Sequence, residues 1–118
     1  MDLHLEHETR AGGVNVIEVS GELDVYTAPG LRSFIIELDS IGVARLVLDL
    51  SELEFIDSSG LGLLCGALKR TSERGGYADL VVPEESRVTQ ALKMTGLIKV
   101  FQVHPDLESA IAARAGES

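Results

Sequence analysis

Apolar and polar positions alternate over Leu3-His4-Leu5-Glu6-His7-Glu8, the period-two pattern of a strand with one wet face. Arg10-Ala11-Gly12-Gly13 turns the chain, and Val14-Asn15-Val16-Ile17-Glu18-Val19 follows as a second strand. So short a connection predicts an antiparallel hairpin. Further on the period changes. Leu31, Phe34, Ile35 and Leu38 recur at the i, i+3, i+4, i+7 spacing of a helix buried along one stripe. Thr27 is placed to cap that helix, Pro29 falls in its first turn where a missing N–H is harmless, and Gly42 lies just beyond its end.

The remainder repeats this alternation of periods. Residues 45–50 predict a third strand, with Leu46, Leu48 and Leu50 on one face and Asp49 on the other. Leu61, Leu64, Cys65 and Leu68 mark a second helical stripe that ends before Gly75-Gly76. A fourth strand over 78–82 stops at Pro83, a third helix over 85–95 stops at Gly96, and a fifth strand over 99–103 precedes a last helix over 105–114. Strands alternating with helices imply right-handed parallel crossovers. The prediction is an α/β fold with a single mixed, mostly parallel five-stranded sheet, in the order ββαβαβαβα. Alternation within the third strand further predicts helices mainly on one face, because strands covered on both faces are continuously apolar.

Length and composition add limits. At 118 residues one core is expected, so residues 1–118 are read as a single domain with a frayed end over 115–118. The 19 acidic against 10 basic side chains give a net charge of −9, which repels phosphate backbones and anionic lipid heads, so neither direct nucleic-acid binding nor membrane binding is expected. One cysteine, no long apolar run and an N-terminus unlike a signal peptide predict a cytoplasmic protein.

The stretch from Leu48 to Gly62 carries the candidate chemistry. Asp57 and Ser58 fall where a strand passes through a short loop into the second helix, and either side chain suits the cap. Capping alone leaves Gly60 and Gly62 unexplained, since glycine in a helix interior is about 1 kcal/mol less favourable than alanine. Bare backbone beside an exposed hydroxyl would let another protein's active site approach.

Asp57-Ser58-Ser59-Gly60-Leu61-Gly62, preceded by Leu46-Val47-Leu48-Asp49-Leu50 and Phe55-Ile56, closely resembles the phosphorylation segment of the STAS-domain anti-sigma factor antagonists. Gly21-Glu22-Leu23-Asp24-Val25-Tyr26-Thr27-Ala28 resembles that family's second signature, and the likeness spans essentially the whole chain. The resemblance implies a partner-switching regulator and no catalytic residues. Ser58 would be the phosphoacceptor, with Asp24, Asp57, Ser59, Gly60 and Gly62 contacting the partner. That partner would be an ATP-dependent serine-kinase anti-sigma factor, and a metal-dependent serine phosphatase would reset the switch. A STAS scaffold or a regulatory module of a transport system is the other output the resemblance allows. One departure is Gly30, which stands where the family often completes a capping box with an acid.

Rival chemistries lack their parts. A response-regulator receiver could cite Asp49 at the end of its strand, but Glu6 and Glu8 sit in a hairpin strand and Lys99 begins the fifth strand instead of ending it. Gly60, Gly62 and Gly66 miss the dinucleotide spacing, and no lysine follows as a P-loop requires. No Gly-x-Ser-x-Gly supports a hydrolase. His4, His7 and His104 show no metal-ligand spacing and are read as surface residues, while Cys65, Met94 and Phe101 are read as packing. No cofactor and no metal are therefore expected.

Overall fold

The computed structural model describes residues 2–115. Apart from Ala115, the frayed end expected over 115–118 lies outside the described residues. The hairpin forms as expected from β1 (Leu3–Arg10) and β2 (Val14–Leu23), with His7 opposite Ile17 and Glu6 opposite Glu18. Next come α1 (Ala28–Ser40), β3 (Arg45–Asp49), β4 (Leu53–Ile56), α2 (Ser58–Glu73), β5 (Tyr77–Val81), α3 (Arg87–Thr95), β6 (Val103–His104) and α4 (Leu107–Arg114). The sheet runs β1-β2-β3-β5-β6, with β4 joined to the far end of β2, and every pairing except β1 with β2 is parallel.

Two elements differ from the sequence reading. The sheet has six strands because residues 53–56, expected as loop, pair with the extended end of β2, setting Glu22 beside Phe55 and Leu23 beside Ile56. The last strand is only two residues long. After Gly96 ends α3 in the left-handed region at φ 79°, Leu97–Lys99 make a 3-10 turn. Leu97, Ile98 and Phe101 all pack into the core, and that spacing suits a turn better than a strand.

The alternation in β3 sorts the two faces. Leu46, Leu48 and Leu50 join Ile17, Val19, Ala78 and Leu80 in the main core beneath α1, α2 and α3. On the other face Val14, Val16, Val47 and Val81 meet Ala110, Leu107 and Ile111 of α4. Helices therefore lie mainly on one face, and α4 covers part of the second.

A buried ion pair holds α4 there. Asp79, 1% exposed, accepts hydrogen bonds from Arg114 Nε at 2.7 Å and Nη2 at 2.8 Å, and the guanidinium stacks over Tyr77 at 4.1 Å. His104 corrects the expectation of a surface residue. Its Nε2 is buried 3.8 Å from Asp79 Oδ2, because β6 lies beside β5 with His104 paired to Val81. Met94 is corrected the other way: it stands 88% exposed on the last turn of α3, while Phe101 is buried as expected. Cys65 is half-buried at the margin of the main core.

Candidate functional site

Leu23 and Ile56 are parallel partners at the ends of β2 and β4, so the connections into α1 and α2 leave the sheet side by side. The Asp57 amide donates to the Leu23 carbonyl at 3.2 Å, which fixes this junction. Each connection is then organised by one aspartate.

Asp57 is the N-cap of α2. Its Oδ1 accepts from the amides of Ser59 at 2.9 Å and Gly60 at 3.1 Å, satisfying two of the donors that a helix start leaves free. Its Oδ2 reaches across to the Val25 amide at 3.1 Å. One carboxylate thus caps the second helix and holds the loop before the first.

Asp24 organises that loop from within. Its Oδ1 accepts from the amides of Tyr26 at 2.9 Å and Thr27 at 3.0 Å, and the Ala28 amide donates to its carbonyl at 2.8 Å. The Thr27 N–H foremost, with those of Tyr26 and the Thr27 hydroxyl, holds the Asp24 carboxyl below the ordinary carboxylate range despite the opposing effect of burial. Thr27, expected as the cap of α1, has helical backbone angles and makes no side-chain cap bond. Its hydroxyl instead donates to the Glu22 carbonyl at 2.7 Å and accepts from the Asp24 amide at 2.9 Å. Asp24 is 3% exposed, with Oδ2 buried and unpartnered. It shapes the loop from inside and presents no side chain to solvent.

Ser58 is the first residue of α2 and is exposed. Because Asp57 caps the helix, the Ser58 hydroxyl makes no hydrogen bond among the described residues. Ser59 beside it is half-buried. The two glycines part company. A Cβ on Gly60 would lie 2.7 Å from Ile56 Cγ1 and 2.9 Å from Leu23 Cγ, so its bareness serves close packing of α2 on the strand ends. Gly62 is exposed, and a Cβ there would meet nothing within 4 Å. Only Gly62 leaves outward backbone of the kind foreseen for both.

The sequence reading missed Val25 and Tyr26. They stand 56% and 83% exposed in the loop that Asp24 and Asp57 hold, and Phe55 is 42% exposed on β4 next to it. Two apolar residues between a turn aspartate and a helix start, in phase with neither strand nor stripe, were the available signal.

The rival receiver site is not assembled. Asp49 is buried, with Oδ1 accepting from the Ser51 amide at 3.1 Å and hydroxyl at 2.6 Å. Among the described residues no group of three or more His, Cys, Asp or Glu side chains could hold a metal ion, and no helix is long and apolar enough to cross a membrane.

A six-stranded sheet with one antiparallel edge thus presents a serine at a helix start beside a second strand-to-helix loop. The STAS domain family model matches residues 8–110. An anti-sigma F factor antagonist of Paenibacillus polymyxa is 33% identical over 112 residues, covering 94% of each chain. The anti-sigma-B factor antagonist of Bacillus subtilis (strain 168) is 32% identical over 95 residues, covering 80% of this chain and 85% of its own. Among solved structures, an anti-sigma factor antagonist from Mycobacterium paratuberculosis superimposes with a TM-score of 0.85 at 32% identity, covering 95% of this chain and 93% of its own. This chain belongs to the STAS-domain family of anti-sigma factor antagonists.

Proposed function

We propose that this chain is a partner switch: with Ser58 unphosphorylated it binds a serine-kinase anti-sigma factor, and phosphorylation of Ser58 releases it. The observation that carries the reading is the free, exposed hydroxyl of Ser58 at the start of α2. The kinase partner would transfer the γ-phosphoryl group of ATP to Ser58 Oγ; ADP departs and the hydroxyl proton passes to a base of the kinase. A metal-dependent serine phosphatase would hydrolyse the ester and restore the hydroxyl.

The phosphate would bring about −1.5 to −2 units of charge to this corner. The helix dipole favours an anion there. The amides of Ser59 and Gly60, however, are already taken by Asp57, so the phosphate sits beside a carboxylate without gaining those two donors. The fold keeps its caps, while a surface complementary to a neutral hydroxyl meets bulk and charge.

The test is incubation with ATP and candidate serine-kinase anti-sigma factors, with the modified residue mapped by mass spectrometry. Ser58→Ala should accept no phosphate and bind the partner persistently. Ser58→Asp should bind poorly and keep its amide spectrum away from residue 58. Modification at a different residue, or wild-type affinity in Ser58→Asp, would refute the mechanism.

A further inference from the structure

We infer that Val25 and Tyr26 are the apolar anchor by which this chain grips its anti-sigma factor. The inference rests on the partner-switching reading and supplies what that reading lacks, a source of affinity beside the phosphoacceptor.

Tyr26 at 83% and Val25 at 56% exposure contribute little to the core. Their backbone is nevertheless held firmly: the amides of Val25, Tyr26 and Thr27 each donate to a carboxylate, the first to Asp57 and the other two to Asp24. A large amphipathic ring on a loop already fixed in shape loses little entropy on docking, which is the character of residues that dominate interface energies. Asp57 also caps the helix that begins with Ser58, so anchor and hydroxyl belong to one surface. Gly62, one turn further along α2, adds no side chain to obstruct a partner.

Charge selects the occupant. Glu22 and Asp57 flank the loop on a chain of net charge −9, so the complementary site on the anti-sigma factor is an apolar pocket with a basic rim. Met94, 88% exposed on the last turn of α3, lies on a different element and serves as the control.

The test measures affinity for the serine-kinase anti-sigma factors encoded in the same genome, using wild type, Tyr26→Ala, Tyr26→Phe and Met94→Ala. Tyr26→Ala should melt with wild type, yet bind at least about thirty-fold more weakly, the loss expected for an aromatic hot spot. Tyr26→Phe should retain most of the affinity, and Met94→Ala all of it. If wild type binds and Tyr26→Ala stays within about threefold of it, the anchor is wrong and the partner switch stands. An equal loss in Tyr26→Ala and Met94→Ala overturns the assignment to this loop. If wild type binds none of these proteins, the partner-switch reading falls and the anchor falls with it.

Discussion

The ends of β2 and β4 and the α4-covered face of the sheet both hold aspartates engaged by hydrogen bonds within the protein, and they use them in opposite ways. At the strand ends Asp24 and Asp57 accept from backbone amides and, at Asp24, the Thr27 hydroxyl; their charge is spent on shaping two connections while Val25, Tyr26 and Ser58 are left outside. Beneath α4, Asp79 meets a guanidinium through two hydrogen bonds, and the apolar residues around it point inward. A carboxylate matched by amide dipoles keeps its net charge and builds a presenting surface. One matched by a cation is neutralised and fastens a helix. The first region should therefore be sensitive in binding and the second in stability.

The largest effect should follow from breaking the second region. Asp79→Ala leaves Arg114 stacked on Tyr77 beside His104 without its carboxylate, and stability in urea should fall by about 3 kcal/mol, the low end for a broken buried pair because Arg114 keeps some contact with water. A double variant, Asp79→Leu with Arg114→Met, should lose less than Asp79→Ala, since apolar side chains of similar size take the place of both partners. Under the proposed switch, phosphorylation of Ser58 in the folded variant should proceed as in wild type. A change in that rate at full foldedness would show that the two regions are coupled.

A finer cut runs through α2 itself. Gly60→Ala forces a methyl against Ile56 and Leu23 and should reduce stability by about 1–3 kcal/mol, as overpacked cores do. Gly62→Ala meets no neighbour and should raise stability by up to about 1 kcal/mol through helix propensity, while weakening the anti-sigma factor complex. Chemical denaturation with a binding titration checks both. A stabilised Gly62→Ala with unchanged affinity would remove that glycine from the interface.

That contrast also shows where reading a sequence stops. Residues 60 and 62 are the same amino acid in one motif, yet two steps along a helix turn a side chain through about 200°, so one faces the strands and the other faces water. The order of elements, the hairpin and the start of α2 after Asp57 were legible because each depends on neighbours close in sequence. β4 was not, because its four residues become a strand only by pairing with the end of β2, some thirty positions away. Thr27 stands at the start of α1 where it was expected, but its hydroxyl makes no cap bond, because it is taken by the Glu22 carbonyl and the Asp24 amide, partners that only the folded loop brings to it. That Ser58 opens α2 was legible because a strand-to-helix junction is a local pattern; the exposure of Val25 and Tyr26 was not, because it is decided by the whole fold.

The smallest effect tests the charge kept at the strand ends. The Asp24 carboxyl is held below its ordinary value, so the unfolded chain takes up its proton at higher pH than the folded one. Its contribution to stability is complete above the ordinary aspartate value near about 3.9 and is lost as the pH falls through the lower, folded value. Asp24→Asn, which still offers Oδ1 to the amides of Tyr26 and Thr27, should be somewhat less stable than wild type at neutral pH. The gap in melting temperature should close on acidification below that range. Asp39, held low mainly by its hydrogen bond from Arg74, lies at the far end of α1 and should give the same acid dependence without touching partner affinity. A gap for Asp24→Asn that stays constant from neutral to acid pH would mean that its carboxylate shapes the loop by geometry alone, and the contrast with Asp79 would then rest on neutralisation rather than on charge retained.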